Sequence, residues 1–249
     1  MAEGSYDQLW DLAWEQAASI GPGFQSRYGL LLRLMADLGV SGRLLEVGAG
    51  RGHFLQRAHE RFPDLRLSAH ENAPGALDRL RELDCLEDVF SGAIESSGVA
   101  AAPGFHVIVC SEVLEHIERH EEALDVMTDL LEPGGRLFLT VPLRPGLWNQ
   151  VDAAVGHKRR YRRGQLDEMC RERGLEIEHS LAGGFPFYNT YYRLLGSRSP
   201  QETARSADRP TARLAAHILT RLFSLESRWS TPLGCRGTVI ARKVPSPLS

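Results

Sequence analysis

The chain has 249 residues, 43% of them hydrophobic and 24% charged, the balance of an ordinary globular protein. A net charge of −3 gives no general pull toward nucleic acid, and no apolar run approaches the roughly 20 residues that span a bilayer. Cys85, Cys110, Cys170 and Cys235 are widely spaced with no C-x-x-C, and the acidic, polar start from Met1 to Asp7 is unlike a secretory signal. Reduced thiols in one cytoplasmic domain covering 1–249 are therefore expected.

Residues Ser5 to Gly39 read as two amphipathic helices separated by Gly21-Pro22-Gly23. Leu9, Trp10, Leu12, Ala13 and Trp14 cluster in the first, and Tyr28, Leu31, Leu32, Leu34 and Met35 form a stripe in the second. From Arg43 onward short apolar runs alternate with helical patterns. Strands are expected at Leu44–Val47, Leu65–Ala69, Val89-Phe90, Phe105–Cys110 and Arg136–Val141. Helices are expected from Phe54 to Phe62, over Gly75–Leu83 and over Glu121–Leu131, the last closed by Glu132-Pro133-Gly134-Gly135. This alternation predicts a parallel, doubly wound sheet with ligands at the carboxyl ends of its strands. After Pro142 the rhythm changes. Residues 143–156 read as a loop, Arg163–Arg173 as a helix, and Leu175–Ser180 and Gly237–Arg242 as two further strands. Between those strands lie an aromatic segment from Phe185 to Tyr192, a polar loop from Gly196 to Thr211, and a basic amphipathic helix from Leu214 to Trp229. That helix carries Arg213, Arg221 and Arg228 opposite its apolar face, which packs on the sheet or lies on a membrane surface.

The stretch Leu44-Leu45-Glu46-Val47-Gly48-Ala49-Gly50-Arg51-Gly52-His53-Phe54 organises the rest. A strand that ends in glycines and opens a helix brings bare backbone N–H groups close to a ligand. The glycines run G-x-G-x-G, which differs from the dinucleotide spacing G-x-G-x-x-G and argues against a nicotinamide dehydrogenase. With Glu46 two positions ahead of Gly48, the stretch resembles the first motif of class I S-adenosylmethionine (SAM) methyltransferases. Glu71 follows the second strand about 20 residues on, where an acid would hold ribose hydroxyls. Ser91-Gly92-Ala93-Ile94-Glu95 follows the third strand and Pro133-Gly134-Gly135 precedes the fifth. The resemblance covers Arg43 to Val141. It implies an α/β, Rossmann-like seven-stranded sheet with its last strand antiparallel. It divides the domain into an N-terminal helical cap (1–40), a SAM-binding core (41–142) and substrate-side segments with a helical lid and the last strands (143–249). It also implies that Glu46, Gly48, Ala49, Gly50 and Gly52 hold the methionine portion. Glu71 and Asn72 would then meet the ribose, and Ala93, Ile94, Ser111 and Glu112 the adenine. The family often has an acid where this chain has Ala93, so contact there would run through the backbone.

Methyl transfer to a hydroxyl needs a proton removed, and histidine, with a pKa near 6.5, suits that. In Ser111-Glu112-Val113-Leu114-Glu115-His116-Ile117 a helical turn would put Glu112, Glu115 and His116 on one side. The stretch from Trp148 through Asp152 to Gly156-His157-Lys158-Arg159-Arg160-Tyr161 is similar to that of a bacterial subgroup resembling quinol and natural-product O-methyltransferases. His116 and His157 are the candidate bases. Trp148, Asp152, Arg160, Tyr161 and Tyr188 are the candidate substrate contacts. Glu112, Glu115, His116 and His157 also resemble the ligand set of metal-dependent terminal-RNA 2′-O-methyltransferases. A divalent ion there would act on vicinal hydroxyls of a sugar or RNA end. The expected function is methyl transfer from SAM to a small molecule. A non-catalytic SAM-binding protein is the rival, nucleic acid is disfavoured as a partner, and neither the oligomeric state nor the acceptor is readable from the sequence.

Overall fold

The computed structural model describes residues 21–102, 104–196 and 210–245. The first expected helix, with Trp10 and Trp14, and most of the polar loop after Gly196 lie outside the described residues. Helix α1 (Pro22–Asp37) leads into β1 (Arg43–Val47), α2 (His53–Arg61), β2 (Arg66–Glu71), α3 (Pro74–Arg81), β3 (Leu86–Ser91), β4 (Phe105–Ser111), α4 (His120–Leu130) and β5 (Leu131–Pro142). The second half adds α5 (Gln150–Ala154), α6 (Gln165–Glu172), β6 (Leu175–Gly183), α7 (Phe187–Gly196), α8 (Pro210–Glu226) and β7 (Arg236–Lys243).

The seven strands lie in the order β3-β2-β1-β4-β5-β7-β6. Strand β7 runs antiparallel to both β5 and β6, while the pairs from β3 to β5 are parallel. The sheet is covered on both faces, and strict alternation along the strands decides which side chain goes where. Leu44, Val107, Val109 and Phe138 join Leu31, Met35, Phe54 and Leu55 in one core. Leu45, Ile108, Cys110 and Leu139 join Leu124, Met127, Leu166 and Met169 in the other. Strand order reverses between β1 and β4, so their carboxyl ends open the crevice where doubly wound sheets bind ligands. No described helix is long and apolar enough to cross a membrane.

Three expectations change. Glu132 to Gly135, read as a turn closing a helix, forms the irregular first part of β5, where its register against β4 shifts. Residues 143–156 are not all loop. A 3₁₀ turn at Pro145–Leu147 precedes α5, which Asn149 and Asp152 cap reciprocally. The Asn149 side chain accepts from the Val151 N–H at 2.8 Å, and Asp152 Oδ2 accepts from the Asn149 N–H at 2.9 Å. The aromatic segment is helical as α7, and α8 caps it. The buried Glu226 carboxylate accepts the N–H groups of Phe187 and Tyr188, both at 2.8 Å, meeting two of the orphan donors of a helix start.

Candidate active site

Every parallel strand delivers its last residues to one edge. After β1 the chain turns through Gly48, Gly50 and Gly52, all at positive φ. A Cβ on Gly48 would lie 2.4 Å from Val113 Cγ2, and one on Gly52 would lie 2.5 Å from Leu83 Cδ1, so side chains are barred there by both strain and contact. Gly50 instead has open space beside it. The Gly50 N–H donates to Glu71 Oε2 at 2.7 Å. Glu71 Oε1 accepts from the N–H groups of Asn72 and Ala73. A carboxylate offers about four acceptor positions, so Glu71 keeps capacity for a hydroxyl.

Glu46 is buried in β1 with Oε2 lacking a hydrogen-bond partner. Burial pushes its carboxyl well above the usual range, the charge of Glu71 adds to that, and Arg27 opposes it. Arg27, on α1, is 93% buried, being 7% exposed, and its Nε is also unpartnered. Its guanidinium lies 4.7 Å from the Phe24 ring centre. Sequence reasoning missed Arg27, because one arginine in an amphipathic helix carries no local signal. Ala93 is exposed and Ile94 buried in the turn after β3, and Asn72 is exposed after β2. The Ser111 hydroxyl is engaged within the sheet by Thr140 at 3.0 Å.

The Ser111–Ile117 stretch corrects the sequence reading. It is a series of turns, with His116 N–H on Val113 O and Ile117 N–H on Leu114 O, rather than a helix. Glu112 sits at φ 57, a left-handed conformation that costs energy for a side chain with a Cβ, and its Oε1 is buried without a partner. The three residues therefore do not share a face. Among the described residues, the one group whose ligand atoms all lie within 4.8 Å is Glu115, His116 and His157, without Glu112. Glu115 is fully buried with neither oxygen hydrogen-bonded, and Oε1 stands 3.7 Å from His157 Nε2. Burial, followed by the charge of Glu112, raises its carboxyl well above the usual range.

The imidazoles of His116 and His157 meet edge to face with centres 4.8 Å apart. Burial, reinforced by His157, lowers the His116 pKa. Asp152 supports this pair from a position with no exposure. Its Oδ1 takes His157 Nδ1 at 2.8 Å and Arg160 Nε at 2.9 Å. Burial works against its ionisation, but the donors His157, Arg160 and the Asn149 N–H outweigh it and hold the carboxyl at about 2. Arg160 also donates to Leu143 O and lies 4.8 Å over the Tyr192 ring, whose hydroxyl is buried without a partner. Tyr188 lies on α7 beside it, stacked on Tyr192 at 6.1 Å and under the Arg236 guanidinium at 4.5 Å. Burial pushes its hydroxyl up to about 12.

Two proposed contacts fall elsewhere. Tyr161 is fully buried in the core, its hydroxyl 3.1 Å from His120 Nδ1, so it packs rather than faces a ligand. Trp148 is 44% exposed on the surface. The basic run is engaged internally. Lys158 pairs with Glu118, Arg159 donates to Ile117 O and Glu118 O, Arg160 to Asp152, and Arg162 to Glu168.

Residues 25–180 match the family described as Methyltransferase domain. The ubiquinone biosynthesis O-methyltransferase of Pseudomonas aeruginosa is 25% identical over 174 residues, which are 63% of this chain and 74% of that protein. The mitochondrial ubiquinone biosynthesis O-methyltransferase of Schizosaccharomyces pombe is 28% identical over 103 residues, 39% of this chain and only 37% of that protein's length. Among solved structures, geranyl diphosphate C-methyltransferase from Streptomyces coelicolor, in complex with Mg2+, geranyl diphosphate and S-adenosyl-L-homocysteine, matches with a TM-score of 0.57. It is 17% identical, with 87% of this chain and 79% of that one covered, a likeness of fold.

Proposed function

The chain belongs to the methyltransferase-domain family, and on that footing we propose that it moves the methyl group of SAM to a small-molecule acceptor, at a hydroxyl oxygen. The observation that carries the oxygen assignment is the half-buried His116–His157 pair buttressed by Asp152. The residues around the glycine turn fit the cofactor. The unpartnered Glu46 oxygen suits the ammonium of its amino-acid end, the unpartnered Nε of Arg27 suits the carboxylate, and Glu71 keeps acceptor capacity for the ribose. When bound, the sulfonium supplies an already activated methyl group, so the chain's own work is to position, to exclude water and to manage one proton. His116, kept neutral by its surroundings, accepts the hydroxyl proton. His157 lies against it with its orientation fixed by Asp152. Tyr188 and Tyr192 offer the acceptor an aromatic wall, which fits a natural product or quinone-like ring.

The test is calorimetry with SAM beside turnover of a catechol or quinol probe. His116→Ala and His157→Ala should each lose on the order of 10²–10⁴ in turnover while SAM affinity stays within about twofold. In the unaltered enzyme the acid limb of kcat should fall below pH 6.5, because burial lowers the pKa of His116 from that value. Full rates in both variants would sink the hydroxyl assignment, and stabilisation by NAD but not SAM would sink the cofactor.

A second reading is favoured by the two unpartnered oxygens of Glu115, buried beside His116 and His157. One carboxylate and two imidazoles form a donor set that suits manganese, zinc or magnesium, and an ion there would lower the pKa of a vicinal diol. Melting temperature with each ion decides it. A rise that Glu115→Gln abolishes supports the metal, and indifference to ions and to chelation removes it.

A further inference from the structure

Helices α7 and α8 carry a surface that the candidate active site does not use. Seven of the nine large apolar side chains exposed among the described residues lie between Phe187 and Leu233. On α8, Leu214, Ile218 and Leu225 are 64%, 50% and 45% exposed. At 3.6 residues per turn their spacing confines them to a stripe about 40° wide. Trp229, in the bend that follows α8, is 56% exposed, and α7 adds Phe187 and Leu194. The two helices form one piece. Phe223 packs edge-on against Tyr188 at 5.3 Å and tilted against Tyr191 at 5.4 Å, and Glu226 caps α7.

The charge beside this stripe has one sign. Arg193 on α7, Arg221 on α8 and Arg228 just after it are exposed. Arg221, expected from the sequence opposite the apolar face, instead lies on the same face as Ile218 and Leu225. Among the described residues of the two helices the one carboxylate is Glu226, turned inward onto the α7 N–H groups. The described residues 187–196 and 210–229 hold four arginines against one carboxylate, in a chain whose net charge is −3. An apolar row with cations along it complements a surface that is apolar inside and anionic at its boundary. A second copy docked here by two-fold symmetry would set the same arginines against one another.

We propose that the outer face of α7 and α8 docks on a bilayer containing anionic phospholipid. The inference does not depend on the identity of the acceptor. The experiment is co-sedimentation of the full chain with vesicles of phosphatidylcholine alone and of phosphatidylcholine mixed with phosphatidylglycerol. Binding should require phosphatidylglycerol and weaken as salt rises, because the screening length falls to ~3 Å at 1 M. Reversal of two cations, R221E with R228E, should reduce binding at least ~10-fold, since each cation near an anionic surface is worth about a factor of five. L214S with I218S and L225S should reduce it as well, with melting temperature and SAM-induced stabilisation unchanged in both variants. Absence of binding to the mixed vesicles, or binding that both variants keep, overturns the proposal. So does a dimer in size-exclusion chromatography that the leucine variant disperses, which would give the face to a second copy.

Discussion

The two sides of the crevice are built by different means. On the β1–β2 side, backbone does most of the work. Three glycines at positive φ shape the turn, and Glu71 is held by three main-chain N–H groups, two from the residues that follow it and one from Gly50 in the turn. On the β4–β5 side the work falls to side chains drawn from separate segments. Glu115 and His116 come from the turns after β4, Asp152 from α5, and His157 and Arg160 from the strand-free stretch after it. The first side, on the proposed reading, holds the cofactor whatever the acceptor. The second is specific because each member depends on the others for its charge and orientation.

The sharpest way to break that contrast is Asp152→Asn, which keeps the volume but removes the charge that His157 and Arg160 share and leaves one acceptor oxygen where two are used. Turnover should fall on the order of 10²–10⁴-fold, as in triads whose orienting carboxylate is made neutral. SAM affinity, set on the other side, should hold. Equal losses of both would mean that Asp152 only supports the fold. The two proteins should also differ in acid. The Asp152 carboxyl is depressed from 3.8 to about 2, so the stability it contributes is present above pH 3.8 and is lost as pH falls toward 2. Chemical denaturation should show the unaltered protein's advantage shrinking across that interval and absent below it.

Glu71→Ala probes the opposite side. It removes a charged acceptor from the Gly50, Asn72 and Ala73 N–H groups and, on the proposed reading, from the ribose. At about 1.5–3 kcal/mol for a hydrogen bond to a charged group, SAM affinity should fall ~10- to 100-fold. kcat at saturating cofactor should change little. Unaltered affinity by calorimetry would refute the ribose assignment.

The same contrast decides what the sequence could tell. The G-x-G-x-G turn, Glu46 and Glu71 were legible because a glycine's conformational freedom and a strand-end acid are local properties. The sheet, including its antiparallel last strand, was legible because apolar runs alternated with helical patterns and the glycine motif identified the family. Arg27 was invisible, since what distinguishes it is burial near β1, and burial is a tertiary fact. Glu112 was placed with Glu115 and His116 by helical spacing, but its positive φ breaks that spacing. The α5 helix had a readable sign, the Asn149–Asp152 capping pair, which a loop-like composition concealed. Tyr161 and Asp152 lie in one stretch and looked alike as polar contacts, but only packing separates a core tyrosine from a buttressing carboxylate.

Tyr161→Phe tests that last separation with the smallest expected effect. The Tyr161 ring is fully buried and meets His120 edge-on at 5.6 Å, and its hydroxyl is 3.1 Å from His120 Nδ1. Removing the hydroxyl keeps the ring and the packing and forfeits one neutral hydrogen bond, worth about 1 kcal/mol. Denaturant unfolding should report a loss of that size, because phenylalanine fills the same volume and His120 keeps one edge toward solvent. Turnover and SAM affinity should match the unaltered enzyme. Tyr192→Phe is the proper companion, since its hydroxyl is buried without a partner beside Arg160. Its removal relieves an unsatisfied group, so stability should hold or rise while the apparent KM for the acceptor rises. A Tyr161→Phe enzyme with raised KM and unchanged stability would move that residue from the core to the acceptor's side of the crevice.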